Sequence, residues 1–145
     1  MSRVDSRGTD FCRRNPCFVA VDTSISRKAV VGVVEMHIPA VGLKGDILQA
    51  ILDLMPEPSR EKKDKIIGYI DELRVAKDWQ GKKIGQELIN KTFEYLGRTR
   101  PNLVAMYLMV DKNLPVAIHV YEKTGFLRLK YETQLFYYYA RYRIA

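Results

Sequence analysis

A strand that passes through a short polar link straight into an amphipathic helix constrains this sequence more than any other feature. The stretch is Leu73–Leu88, LRVAKDWQGKKIGQEL, in which an apolar run ends at Val75 and Gln80-Gly81-Lys82-Lys83-Ile84-Gly85 opens the helix. The first amides of a helix have no internal acceptors and point outward as donors. The aligned peptide dipoles add partial positive charge at the same end. Glycines admit an anion to the backbone, so a pyrophosphate fits here, with Lys82 and Lys83 reinforcing it. Taken alone, the same piece also suits a basic helix start that holds no ligand.

The flanking patterns place this segment in the middle of a mixed sheet. Phe18–Asp22 and Ala29–Ile38 are short β-branched runs around a polar turn, TSISRK, and predict a hairpin. Asp46–Met55 predicts a short helix capped by Asp46 and stopped by Pro56. Lys65–Ala76 reads as a strand, and Gln80–Gly97 as a helix with Ile84, Leu88, Ile89, Phe93 and Leu96 on one face. Leu103–Val110 is an almost unbroken apolar strand, as expected when both of its faces are covered. Pro115 suits the first turn of a second helix that Gly125 ends. Phe126–Thr133 and Leu135–Ile144 predict a closing aromatic strand pair. A helix between strands favours parallel pairing in the middle, and hairpins at the ends favour antiparallel pairing. The fold class is therefore α/β, a mixed sheet covered by helices.

The length of 145 residues suits one domain over residues 17–145, after a loose polar segment at 1–16. No apolar run reaches the ~20 residues of a membrane span, and the polar start MSRVDSRGTD is no secretory signal, which points to a soluble cytoplasmic protein. The net charge of +7 asks for an anionic ligand or surface, but the positives are scattered, as on a solvated face rather than a nucleic-acid track. Cys12 and Cys17, far from His37 and His119, form no zinc pattern, so no metal is expected. Free thiols are the expected state without an export signal.

Two motifs resemble the GCN5-related N-acetyltransferases. Leu73-Arg74-Val75 followed by Gln80, Lys83 and Gly85 is similar to the family's Gln/Arg-x-x-Gly-x-Gly/Ala coenzyme loop, with Lys83 where the family has its first glycine. Asn113-Leu-Pro-Val-Ala-Ile-His-Val-Tyr121-Glu-Lys-Thr-Gly125-Phe126 is similar to its Asn-x-x-Ala-x-x-x-Tyr-x-x-x-Gly-Phe segment. The resemblance implies a three-layer αβα fold whose central sheet splays between two parallel strands. It implies acetyl-CoA as cosubstrate, held by Leu73, Val75, Gln80, Gly81, Lys82, Lys83, Ile84, Gly85 and Asn113. It implies transfer of the acetyl group to a primary amine by direct attack, with Tyr121 as general acid.

The base is expected on the strand before the loop, where alternation puts Tyr69, Asp71, Leu73 and Val75 on one face and Ile70, Glu72 and Arg74 on the other. Asp71 and Glu72 resemble the acidic pair of diamine acetyltransferases. Tyr69 and Phe136-Tyr137-Tyr138-Tyr139 resemble protein N-terminal acetyltransferases, with Met109 standing where one subfamily has a histidine. His119 is expected to point away from the site, and His37 has no assigned role. Family members usually begin with a strand and one or two helices that wall the acceptor site, and too few residues precede the first strand here for that unit. The expectation is then a natural minimal form, a fragment, or a chain whose wall is completed by the Val41–Met55 insertion, a second copy or a partner chain. The alternative is a module that binds acetyl-CoA without catalysis, or acts only with a partner.

Overall fold

The computed structural model describes residues 12, 15–24 and 29–143. Most of the segment expected to be loose, 1–16, and residues 25–28 of the expected polar turn lie outside the described residues. The chain runs β1 (Cys17–Asp22), β2 (Ala29–His37), α1 (Gly45–Leu54), α2 (Glu57–Arg60), β3 (Ile66–Val75), α3 (Ile84–Thr99), β4 (Leu103–Asp111), α4 (Pro115–Lys123), β5 (Leu127–Glu132) and β6 (Phe136–Tyr142). The expected order holds, with α2 and a 3-10 turn at Lys77–Trp79 added.

Three boundaries differ from expectation. Asp46 lies in the first turn of α1, and Lys44 takes the cap position without a side-chain bond. Helix α3 begins at Ile84 rather than Gln80, because Gly81 and Lys83 both adopt left-handed backbone that no right-handed helix can include. It also runs through Gly97 to Thr99. The stop is set by Pro101, whose ring holds Arg100 out of helical conformation at φ −129.

The sheet order is β1-β2-β3-β4-β6-β5, with β3 and β4 the parallel pair and every other pairing antiparallel. The parallel ladder runs from Ile66 opposite Leu103 to Tyr69 opposite Tyr107, and there it stops. Beyond that point β3 pairs with β2 alone and β4 with β6 alone, so the sheet parts between its two central strands. A β-bulge accounts for the parting. Glu35 faces Glu72 while Met36 faces Ile70, which leaves Asp71 as the extra residue. Such a bulge bends its strand and increases the twist, turning the second half of β3 away from β4.

Helices α3 and α4 cover one face of the sheet. Leu88, Ile89, Leu96 and Tyr121 pack there on Val34, Met36, Ile70, Met106, Leu108 and Tyr139. Helix α1 covers the other face, with Ala50, Ile51 and Met55 on Val104, Ala105, Tyr107, Tyr138 and Ala140. Each large apolar side chain buried this way stabilises by about 1.5–3 kcal/mol. The Tyr142 hydroxyl donates to the Ile51 carbonyl at 2.6 Å and ties α1 to β6. The result is three layers, αβα, with the insertion between β2 and β3 forming the layer opposite α3 and α4.

Cys12 and Cys17, expected as free thiols, are joined by a disulfide. The Pro16 carbonyl accepts the Met36 amide at 3.1 Å, and the two cysteine Cα atoms lie 5.4 Å apart.

Candidate active site

The opening between β3 and β4 ends at the loop before α3, and local bonds shape that loop. The Ala76 amide donates to the Val31 carbonyl at 2.8 Å, which holds the end of β3 against β2. The Gln80 side chain reaches back, its Nε2 donating to the Val75 carbonyl at 3.0 Å. Gly81 at φ 78 and Lys83 at φ 63 then turn the backbone into α3. The first helical bond runs from the Glu87 amide to the Lys83 carbonyl, so the amides of Ile84, Gly85 and Gln86 stand at the open end. The Lys82 ammonium lies over the Trp79 ring, 5.1 Å from its centre.

Lys83 thus keeps the left-handed backbone of the glycine it replaces, at a cost of about 1–2 kcal/mol. Lys83→Gly is expected to raise stability by about 1 kcal/mol, after allowance for the freer unfolded chain. Urea unfolding measures it. A loss of stability would contradict the strain.

Helix α4 forms the opposite wall. Pro115 occupies its first turn, where a missing amide costs nothing. At its other end Gly125 takes φ 92, and the Phe126 amide returns to the Tyr121 carbonyl at 3.0 Å. That closing turn requires glycine and explains the Tyr-x-x-x-Gly-Phe spacing. It also brings the Phe126 ring edge-on to the Tyr121 ring at 5.6 Å. Tyr121 is 8% exposed. Burial first, then the Tyr69 hydroxyl and the Glu72 carboxylate, push its phenol up to about 12.

This shift has a consequence for stability. Between the ordinary value of 10.0 and about 12, the folded chain keeps a phenolic proton that the unfolded chain has lost. The stabilisation is whole below pH 10 and disappears as pH rises through the folded value, by about 2.7 kcal/mol in all. Unfolding in urea at pH 9 and pH 11.5 is expected to show most of this fall, added to that of Tyr142, whose phenol is also pushed up to about 12, and Tyr121→Phe to make the fall smaller. Equal slopes in the two proteins would contradict the burial of that phenol.

A groove of about 470 Å³ runs between the loop and α4. Leu73, Val75, Gln80, Gly81, Lys83, Ile84, Gly85 and Tyr121 line it together with Trp79, Gln86, Leu114, Pro115, Val116, Ala117, His119 and Val120. Lys82 and Asn113 lie outside that lining; the Asn113 amide bonds to the Asp111 carboxylate at 2.8 Å. His119, expected to point away, faces the groove and is exposed. The spacing of Val116, His119 and Val120, three and four residues apart, carried that signal.

The bulge also corrects the reading of β3. Ile70 and Leu73 pack into the same core as α3 and α4, whereas Tyr69 packs on the α1 side. Tyr69 and Leu73 therefore face opposite ways, because the extra residue Asp71 resets the alternation. Asp71 is exposed at the bulge. Glu72 pairs with Arg74 at 3.2 Å, and Arg74 also holds the buried Glu35 at 2.9 Å. Tyr69 lies between His37, stacked at 6.4 Å, and Tyr107, tilted at 4.8 Å. Burial, then Asp71, Tyr107 and Tyr138, raise the Tyr69 phenol above its usual range. Met109, opposite Tyr138 on β6, is 43% exposed.

Among the described residues, no group of three or more His, Cys, Asp or Glu side chains is placed to hold a metal ion, and no helix is long and apolar enough to cross a membrane.

A mixed sheet parted between its two parallel strands, with helix amides at the mouth and a buried phenol on the wall, has the arrangement that the resemblance to N-acetyltransferases implied. The sequence matches the model of the acetyltransferase (GNAT) family over residues 4–126, and the chain belongs to that family. Solved structures agree in fold. Arabidopsis thaliana NAA60 in complex with acetyl-CoA is 23% identical with a TM-score of 0.68, over 98% of this chain and 86% of that one. A chain of the NatC complex bound to Gag peptide and CoA is 17% identical with a TM-score of 0.65, over 99% and 84%. The spermidine N-acetyltransferase SpeG from Vibrio cholerae, a point mutant, is 21% identical with a TM-score of 0.58, over 94% and 71%. No curated protein matches the sequence.

Proposed function

We propose that this acyltransferase moves an acetyl group from acetyl-CoA to a primary amine by direct attack, with Tyr121 as hydrogen-bond donor to the leaving sulfur. One observation carries this reading: the helix amides, the second half of β3 on the edge that has parted from β4, and Tyr121 all border a single groove. The amides of Ile84, Gly85 and Gln86 suit a pyrophosphate, with Lys83 adding charge. The β3 edge from Ile70 to Val75 suits an extended amide-bearing arm and a thioester oxygen, as donors fixed in place before the reaction. NAA60 and NatC were solved with acetyl-CoA and CoA, which supports the same ligand here.

The amine nitrogen attacks the thioester carbon, the C–N bond forms, and the C–S bond breaks. The nitrogen's surplus proton leaves through water toward Asp71 or Glu72 and passes on through water to the thiolate. A phenol near 12 would surrender its proton completely to a thiolate, whose thiol has a value near 8.5, only at a cost of about 5 kcal/mol. Tyr121 therefore stabilises the departing sulfur by donating a strong hydrogen bond, and the proton from the amine makes good the thiol. Tyr69, packed between His37 and Tyr107 on the α1 side, borders the acceptor side in this reading.

Deprotonating a lysine amine near 10.4 at pH 7 costs about 4.6 kcal/mol, against about 1.4 for an α-amine near 8. Exposed carboxylates are modest bases, so the acceptor is an α-amine or a weakly basic small amine. The test is release of free thiol from acetyl-CoA with a peptide α-amine, a lysine side chain blocked at its α-amine, and spermidine. The α-amine is expected to react fastest at pH 7. Faster lysine or spermidine acetylation would overturn the acceptor assignment, and no turnover with any amine would overturn the enzyme reading for the isolated chain. Exposed Met109 and Leu135 motivate a second reading, in which a partner chain completes the acceptor wall and turnover appears only with it.

A further inference from the structure

We propose that Tyr139 and Arg128 are positioning residues for Tyr121, acting through the carboxylate of Glu122. The inference rests on Tyr121 serving as donor to the leaving sulfur. The Tyr139 hydroxyl donates to Glu122 Oε2 at 2.7 Å, and Arg128 Nε donates to the Tyr139 hydroxyl at 3.0 Å. Arg128 Nη2 lies 3.5 Å from the same carboxylate oxygen. The three residues come from three elements: the last turn of α4, β5 and β6. Arg128 and Tyr139 face each other across the β5–β6 ladder. The guanidinium also stacks on the Tyr137 ring, 3.9 Å from its centre, which fixes its plane.

Glu122 follows Tyr121 directly, so holding its carboxylate fixes the rotation of that turn about the helix axis. Bonds from Phe126 and Thr124 to the Tyr121 carbonyl hold the turn to its own loop. The Glu122 bond ties it to the sheet. Tyr139 is fully buried in the same core as Tyr121, so its hydroxyl presents a fixed donor. A phenylalanine would fill that core equally well. The hydroxyl's work is therefore in geometry, and a small displacement of a reacting group is enough to cost rate.

The test uses the full chain in steady-state turnover of acetyl-CoA with the best amine. Tyr139→Phe is expected to lower kcat roughly tenfold, to leave KM for acetyl-CoA within about twofold, and to shift Tm by no more than about 3 °C. In a Tyr121→Phe background the same change is expected to lower kcat less than about twofold, since residues acting as a unit are not additive. Glu122→Gln keeps an acceptor for the phenol and is expected to lose less kcat than Glu122→Ala. A Tyr139→Phe protein with parental kcat, or an equal loss in both backgrounds, overturns the inference. A slow Tyr121→Phe beside a fast Tyr139→Phe sinks it alone. A Tyr121→Phe protein as fast as the parent sinks the role of Tyr121 and this inference together.

Discussion

Tyr121→Phe is expected to lower kcat by roughly 10²-fold or more, with KM for acetyl-CoA changed less than about threefold. The substitution removes one hydroxyl and little else. The ring keeps its edge-on contact with Phe126, and the Tyr121 carbonyl keeps its bond from the Phe126 amide. The wall of the groove is unaltered, so ground-state binding persists. What disappears is a donor that strengthens as negative charge gathers on sulfur, an interaction realised in the transition state alone. The phenol, pushed up to about 12, stays protonated across the working range, so kcat should show no alkaline fall from this group below about pH 11. Steady-state thiol release checks both statements. Unchanged kcat would remove Tyr121 from the chemistry.

Gly85→Leu is expected to weaken acetyl-CoA binding more than about 10²-fold in a protein that stays folded. A Cβ at Gly85 would stand 3.8 Å from Leu73 Cδ2 and Val75 Cγ2 and 3.9 Å from Val120 Cγ1. These are ordinary contacts, so a methyl group fits between Leu73 and Val75 of β3 and Val120 of α4. The remaining carbons of a leucine would extend into the groove that Gly85 lines, where they occupy the proposed path of the ligand. A non-glycine residue in the first turn of α3 is favourable for the helix by about 0.5–1 kcal/mol, so the loss would not arise from unfolding. Titration calorimetry measures the affinity, and Gly85→Ala separates bulk from backbone: its loss should stay below about tenfold. Parental affinity in Gly85→Leu would place the ligand elsewhere.

The site was legible where one residue type does one job. Gly125 and Phe126 predict a closing turn below Tyr121, and the turn is there at φ 92. Pro115 marks the start of α4, and the apolar run at Leu103 marks a strand covered on both faces. The order of elements and the parallel centre followed from periodicity. Features that depend on two distant strands were not legible. The bulge at Asp71 arises from the register of β2 against β3, and no local pattern in IIGYIDELRV announces it. It reverses the face of Tyr69 relative to Leu73 and opens the sheet. Lys83 misled in the other direction, since the left-handed backbone is imposed by the loop despite the side chain. Gly97 looked like a helix stop but has open space and helical neighbours, while Pro101 sets the end of α3. The Cys12–Cys17 bond joins two cysteines whose pairing no local pattern announces. The value of His119 depends on the groove wall it happens to face.

The central claim is that the break between β3 and β4, with the amides that open α3, holds acetyl-CoA. Thermal unfolding across an acetyl-CoA titration tests it most directly, because a ligand that binds only the folded chain raises Tm with its concentration. At roughly 100 times Kd the gain is about 2.7 kcal/mol, a shift of several degrees for a chain of this size. The account predicts a Tm that rises with the logarithm of acetyl-CoA concentration above Kd, a rise that Gly85→Leu abolishes and Tyr121→Phe preserves. A Tm that stays flat up to millimolar acetyl-CoA, or rises equally in Gly85→Leu, would contradict it.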